Sequence, residues 1–138
     1  MKPLKTFFSI KYSDKSISLS LLLLRLSAGG LMIPHGYDKL MNFAVKSARF
    51  ADPFHIGSTT TLSMVVFAEF FCAILIVAGL LTRLASIPLI IVMGVDLFKS
   101  HNGEIFGEGE KAALFLIGYM TILFSGPGKI SMDKLIGK

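Results

Sequence analysis

The chain has 138 residues, of which 53% are hydrophobic and only 17% charged, too few charges to coat a soluble domain of this size. Its mean hydropathy is +0.69, and the apolar residues fall in blocks approaching about 20 residues, the length of a membrane span. Much of the net charge of +5 sits near the ends, on Lys2, Lys5, Lys11, Lys15, Lys129, Lys134 and Lys138. Anionic headgroups and membrane topology account for that placement, and no aromatic-basic stripe points to nucleic acid as a partner. A single cysteine, Cys72, excludes an internal disulfide, dithiol chemistry within the chain and a cysteine-based metal site.

Residues 1–15 are polar and basic with Phe7, Phe8, Ile10 and Tyr12 interleaved, a pattern for a short interfacial helix or a loose tail. A first span is expected over 17–41, capped by Ser16 or Ser18. Arg25 interrupts its apolar run, and no small-residue cleavage pattern follows, so the stretch reads as a retained span. Arg25, Gly29, Met32, Gly36 and Lys39 share one helical face, and Pro34, which should kink the helix, lies opposite. The charged, glycine-bearing face should turn towards other helices. Asn42 to Thr61 is a long polar connection, with a helical turn expected at SARFADPF. A second span over 61–81 carries Glu69. A third over 84–99 carries Pro88 and Asp96, and the tight turn at Thr82 and Arg83 makes the two a hairpin.

His101 to Gly109 is a glycine-rich acidic loop. A fourth span over 110–125 stops at Gly126, Pro127 and Gly128, and a brief turn is expected at Ser131. The fold class is therefore an all-α membrane protein, a four-transmembrane-helix bundle forming a single domain over residues 1–138. The excess of Lys and Arg on one side puts both termini in the cytoplasm. Glu69 and Glu110, each in an outward-to-inward span, also allow an internal duplication.

An intramembrane charge marks a pairing partner or a function. With the expected spans, the Arg25 and Glu69 backbones differ in depth by roughly 9 Å, which long side chains can largely close. Arg25 and Glu69 are thus read as a structural charge pair, with snorkelling of Arg25 and a buried polar site as the alternatives. At the outer end His35 and Lys39 should converge with Asp96 and Lys99 and with His101, Glu104, Glu108 and Glu110, either as a hydrogen-bonded network closing the mouth or as a ligand site. The candidates for lining a ligand pocket are Arg25, His35, Lys39, Glu69, His101 and Glu110. Their spacing matches no metal signature, so no metal is expected. His and Lys donors beside an apolar tunnel are what a quinone headgroup needs.

The pattern resembles the DoxX family. It comprises Arg25, Gly36 and Lys39 in the first span, Glu69 with Gly79-Leu80-Leu81-Thr82-Arg83 in the second, then His101 and Glu110. It closes on Gly126-Pro127-Gly128-Lys129-Ile130-Ser131-Met132-Asp133. The resemblance, over about residues 19 to 135, implies a four-helix inner-membrane protein of bacterial or archaeal type. Some members are associated with quinone-linked sulfur oxidation or oxidative-stress partners, and many have no assigned activity. It implies an accessory or quinone-binding subunit with no covalent cofactor, which needs a bound quinone or a redox partner protein because this chain lacks paired cysteines. The alternatives are a scaffold or lipid-binding protein whose buried charges are structural, and a small transporter or proton path through Glu69. Membrane lipid is an expected partner, and a homo-oligomer is compatible with the sequence.

Overall fold

The computed structural model describes residues 2–137, so Lys138 of the basic C-terminal tail lies outside it. All regular elements among these residues are helical. A short helix α1 (Lys2–Phe7) precedes the long α2 (Asp14–Met41). Ser13 caps α2 by accepting the Ser16 amide at 3.1 Å, so the helix begins three residues before the expected span. Then follow α3 (Phe43–Ser47), α4 (Ser58–Val66), a π-helical turn (Phe67–Cys72) and α5 (Ala73–Ala78). The last three form one continuous helix, Ser58–Ala78. Helix α6 (Thr82–Val95) runs on through a second π-helical turn (Asp96–Ser100), and α7 (Glu110–Ser125) and α8 (Met132–Ile136) complete the chain.

The hairpin turn lies earlier than expected. Gly79 adopts φ 72° and ends α5, with the Leu80 amide donating to Leu75 O at 2.9 Å. That is the glycine-terminated helix end in which a left-handed residue lets the chain turn back on its own carbonyls. Thr82 and Arg83 therefore open α6 instead of forming the turn. In the long connection the helical turn is Phe43–Ser47, upstream of the SARFADPF stretch. Asp52 shapes the remainder, accepting the amides of Ile56 at 3.0 Å and Gly57 at 2.8 Å and the Thr61 hydroxyl at 3.1 Å. Glu69 lies deep in its helix whereas Glu110 begins one, so the two are not equivalent positions of a duplication.

Small residues fill the interior. Ala28, Ala68, Cys72, Ala73 and Ala85 pack with Met32, Ile76, Leu89, Met93, Tyr119 and Ile122. The face anticipated on α2 is the one that packs: Arg25, Gly29, Met32 and Gly36 are all buried. A Cβ on Gly29 would stand 2.9 Å from Ala73 O, and one on Gly36 would stand 2.5 Å from the Glu69 backbone. The two longest helices thus touch nearly backbone to backbone, the packing that small residues permit between membrane helices. The large apolar side chains point outward instead, with Leu31 64%, Leu84 63%, Leu114 66% and Phe124 75% exposed. A soluble monomer rarely exposes so much contiguous apolar surface. Two helices, Asp14–Met41 and Ser58–Ala78, are long and apolar enough to cross a membrane.

Candidate functional site

The polar residues fall into two groups at different levels of the bundle. At one end Arg25, 2% exposed, donates to four backbone carbonyls. Its Nε reaches Ile76 O at 3.0 Å and Nη2 reaches Val77 O at 3.1 Å. Nη1 reaches Pro127 O and Ile130 O, both at 2.7 Å. Ile76 and Val77 lie in the last turn of α5, where carbonyls lack partners within the helix and a cation is favoured. The planar guanidinium is thus used as a fork that ties the end of α5 to the C-terminal loop.

Asp133 completes this end. Its carboxylate accepts the Leu81 amide at 2.7 Å and the Thr82 amide at 2.9 Å, and its own amide donates to Gly79 O at 2.8 Å. Leu81 holds φ 48°, a strained conformation for a branched side chain, and the Asp133 contact pins it there. Burial alone would raise the Asp133 pKa. The hydrogen bonds from Thr82 and Leu81 and the charge of Arg25 outweigh that and hold it below the ordinary 3.8. A depressed carboxylate contributes stability that is complete above its unfolded value and is lost as pH falls through the folded one. Asp133→Asn should therefore destabilise the neutral-pH protein by about 1–3 kcal/mol. In melts followed by circular dichroism, the gap between variant and wild type should close as pH drops below 3.8. A gap that persists in acid would show that the charge is not what Asp133 contributes.

The expected Arg25–Glu69 pair does not form. Glu69 accepts instead from Lys39 Nζ at 2.5 Å, with the carboxylate side chain 6% and the lysine 20% exposed. The reason is chain direction. Arg25 lies in the first half of α2, level with the α5 terminus, whereas Lys39 lies near the C-terminal end of α2, level with the π turn that carries Glu69. Gly36 admits that turn against α2, one helical turn before Lys39.

Beside the Lys39–Glu69 pair lies a cavity of about 490 Å³. Met32, Val65, Val92, Met93 and Phe115 form its apolar walls, and His35, Lys39, Glu69, Asp96, His101, Glu108 and Lys111 bring polar atoms to it. Phe50, Ala51 and Pro53 join from the connection between α3 and α4. Glu69 belongs to one π turn and Asp96 and Ser100 to the other, an unwinding found often where helices build sites. His101 Nδ1 donates to Asp96 O at 3.0 Å, which leaves Nε2 as the acceptor of a neutral ring. The His35 ring meets Phe115 edge to face at 6.4 Å, and Phe115 stacks on Tyr119 at 6.0 Å.

Among the pocket candidates, His35, Lys39, Glu69 and His101 line this cavity. Arg25 does not, since it is committed to carbonyls at the other end. Glu110 lies on the neighbouring groove between α2 and α7. Asp96 and Glu108, expected at the outer mouth, also line the cavity, whereas Lys111 was not singled out. Lys111 follows Glu110 by one residue, about 100° around a helix, so the periodicity that places Phe115 and Lys111 on one face was the available signal. The π turns and the contribution of Phe50 and Pro53 have no comparable signature. Among the described residues no three His, Cys, Asp or Glu side chains form a metal-binding group.

A small helical bundle with small residues inside, large apolar residues outside and its buried charges satisfied in two separate groups is an integral membrane protein. The chain belongs to the DoxX family, whose sequence model matches residues 20–102, more than half of its length. The match ends just past His101, so α7 and the Gly126–Asp133 closure lie beyond it. No curated protein and no solved structure matches the chain.

Proposed function

We propose that the chain crosses the inner membrane four times, with both termini in the cytoplasm, and that the cavity holds the ring of a membrane quinone. It would serve as an accessory subunit of a redox system whose other centres lie on a partner protein. The single observation that carries this reading is the cavity itself. Its 490 Å³ falls within the roughly 300–1,000 Å³ of small-molecule sites. Its apolar walls suit a ring, and Lys39, Lys111, His35 and His101 offer nitrogen partners for ring oxygens. A bound quinone would supply the electron-accepting chemistry. Around it Lys39 and Lys111 stabilise negative charge on an oxygen, and Glu69 holds Lys39 in place. His101, fixed through Nδ1, accepts a proton or hydrogen bond at Nε2 when neutral and donates one when charged.

The apolar exterior of α6 and α7 supports four crossings, since Leu84, Ile91, Leu114 and Phe124 are exposed there as Leu31 is on α2. At 16 residues, α7 is about 24 Å long and needs a thinned bilayer or its flanking loops to span. Arg83, Lys129 and Lys134 gather at the end that holds both termini, which supports its cytoplasmic placement.

Purification in mild detergent followed by mass spectrometry of co-purifying molecules tests the reading. Stoichiometric quinone should be found with the wild type and lost with Glu69→Gln and His101→Ala. Heterogeneous phospholipid alone, unchanged in both variants, would overturn it in favour of a lipid-binding or scaffolding protein. A fluorescent protein fused to the C-terminus should mature only if that end is cytoplasmic.

A further inference from the structure

The four helices do not close evenly. Helix α7 packs heavily on α6 and only lightly on α2. The seam is stapled at one level, where Tyr119 Oη donates to Ala28 O at 2.8 Å. Beside the staple a groove of about 650 Å³ opens along Leu24, Ala28, Leu31, Leu114 and Gly118. From Leu24 to His35 it covers about 16 Å at 1.5 Å per residue. Ala28 and Gly118 keep its floor low: a Cβ on Gly118 would make only ordinary contact, 3.8 Å from Ala28 Cβ. The exposed Leu31 and Leu114 place its open side on the apolar exterior.

The groove adjoins the polar cavity, for His35, Glu108, Lys111 and Phe115 line both. The edge-to-face pair of His35 and Phe115 therefore stands where an amphiphile would pass from ring site to lipid. We propose that the α2–α7 groove is the seat of the ligand's isoprenoid tail and its lateral entrance from the bilayer. This rests on the ring-site reading above and adds where the rest of the molecule lies. A ring held at the cavity needs an apolar exit for its tail, and this groove shares four residues with the cavity. Groove filling should block the tail without touching Lys39, Glu69 or His101.

The probe is a benzoquinone whose isoprenoid tail carries a photoreactive diazirine, used on the full-length protein in lipid nanodiscs. Illumination followed by peptide mass spectrometry should place the label on residues 24–31 and 114–118, and excess tail-less ring should displace it. Gly118→Leu and, separately, Ser27→Phe should reduce groove labelling to background. Ser27 is an exposed groove residue whose hydroxyl bonds only within its own helix, so its replacement leaves the bundle interior intact if Gly118→Leu does not fold. Label that the ring displaces but that falls on α4, α5 or α6 would overturn the groove and leave the ring site standing. Label in the groove that the ring never displaces would overturn the link between the two. No label above that on a membrane protein lacking such a cavity would overturn both readings.

Discussion

Arg25→Ala should lower the stability of the protein by about 3–5 kcal/mol, since each buried carbonyl left without a donor costs about 1–3 kcal/mol. The substitution leaves the carbonyls of Ile76, Val77, Pro127 and Ile130 without their donor, in a site with little water to replace it. Arg25→Lys should recover only part of the loss, because an ammonium lacks the planar fork that reaches two strands of chain at once. Cys72 is buried and is the sole thiol, so a thiol-reactive fluorophore reports the melt directly. A melting temperature for Arg25→Ala close to that of the wild type would show that the C-terminal closure contributes little. Combined with Glu69→Gln the effects should add, since the two side chains serve different ends of the bundle.

Gly36→Ala is the second large effect, and it couples packing to the site. The added Cβ would stand 2.5 Å from both Glu69 C and Phe70 N. These are backbone atoms of a helix, which cannot rotate away, so α2 must retreat at a cost of about 1–3 kcal/mol. The retreat also separates Lys39 from the π turn that presents Glu69, so retention of the proposed quinone should fall together with stability. Gly30 supplies the control, having nothing within 4 Å of its Cβ position. Gly30→Ala should be neutral or stabilising by up to about 1 kcal/mol through helix propensity. Equal melting temperatures and equal ligand content in the two variants would rule out the close approach at Gly36.

The residues that carry the resemblance resolve into two structures with different work. Arg25, Gly79 to Thr82 and Gly126 to Asp133 build the closure at one end, through carbonyls, a left-handed glycine and a carboxylate. Gly36, Lys39, Glu69 and His101 gather at the other, beside the cavity. The closure includes residues past the family match, and Pro127, within what reads in sequence as a helix stop, is in space an acceptor of Arg25.

By itself the sequence determined the helices, their order and the buried face of α2, because apolar blocks, glycine stops and a 3.6-residue period are local properties of a chain. It also singled out Glu69 as a charge needing a partner and Lys39 as a candidate for the outer mouth. Which partner each charge takes was decided only by the tertiary structure. Pairing depends on depth and direction along helices distant in sequence, and a guanidinium satisfied by four carbonyls looks, in sequence, no different from one paired to a carboxylate. The π turns at Glu69 and Asp96, the cavity between them and the loose α2–α7 seam are likewise products of packing, for they arise where helices fail to close on one another.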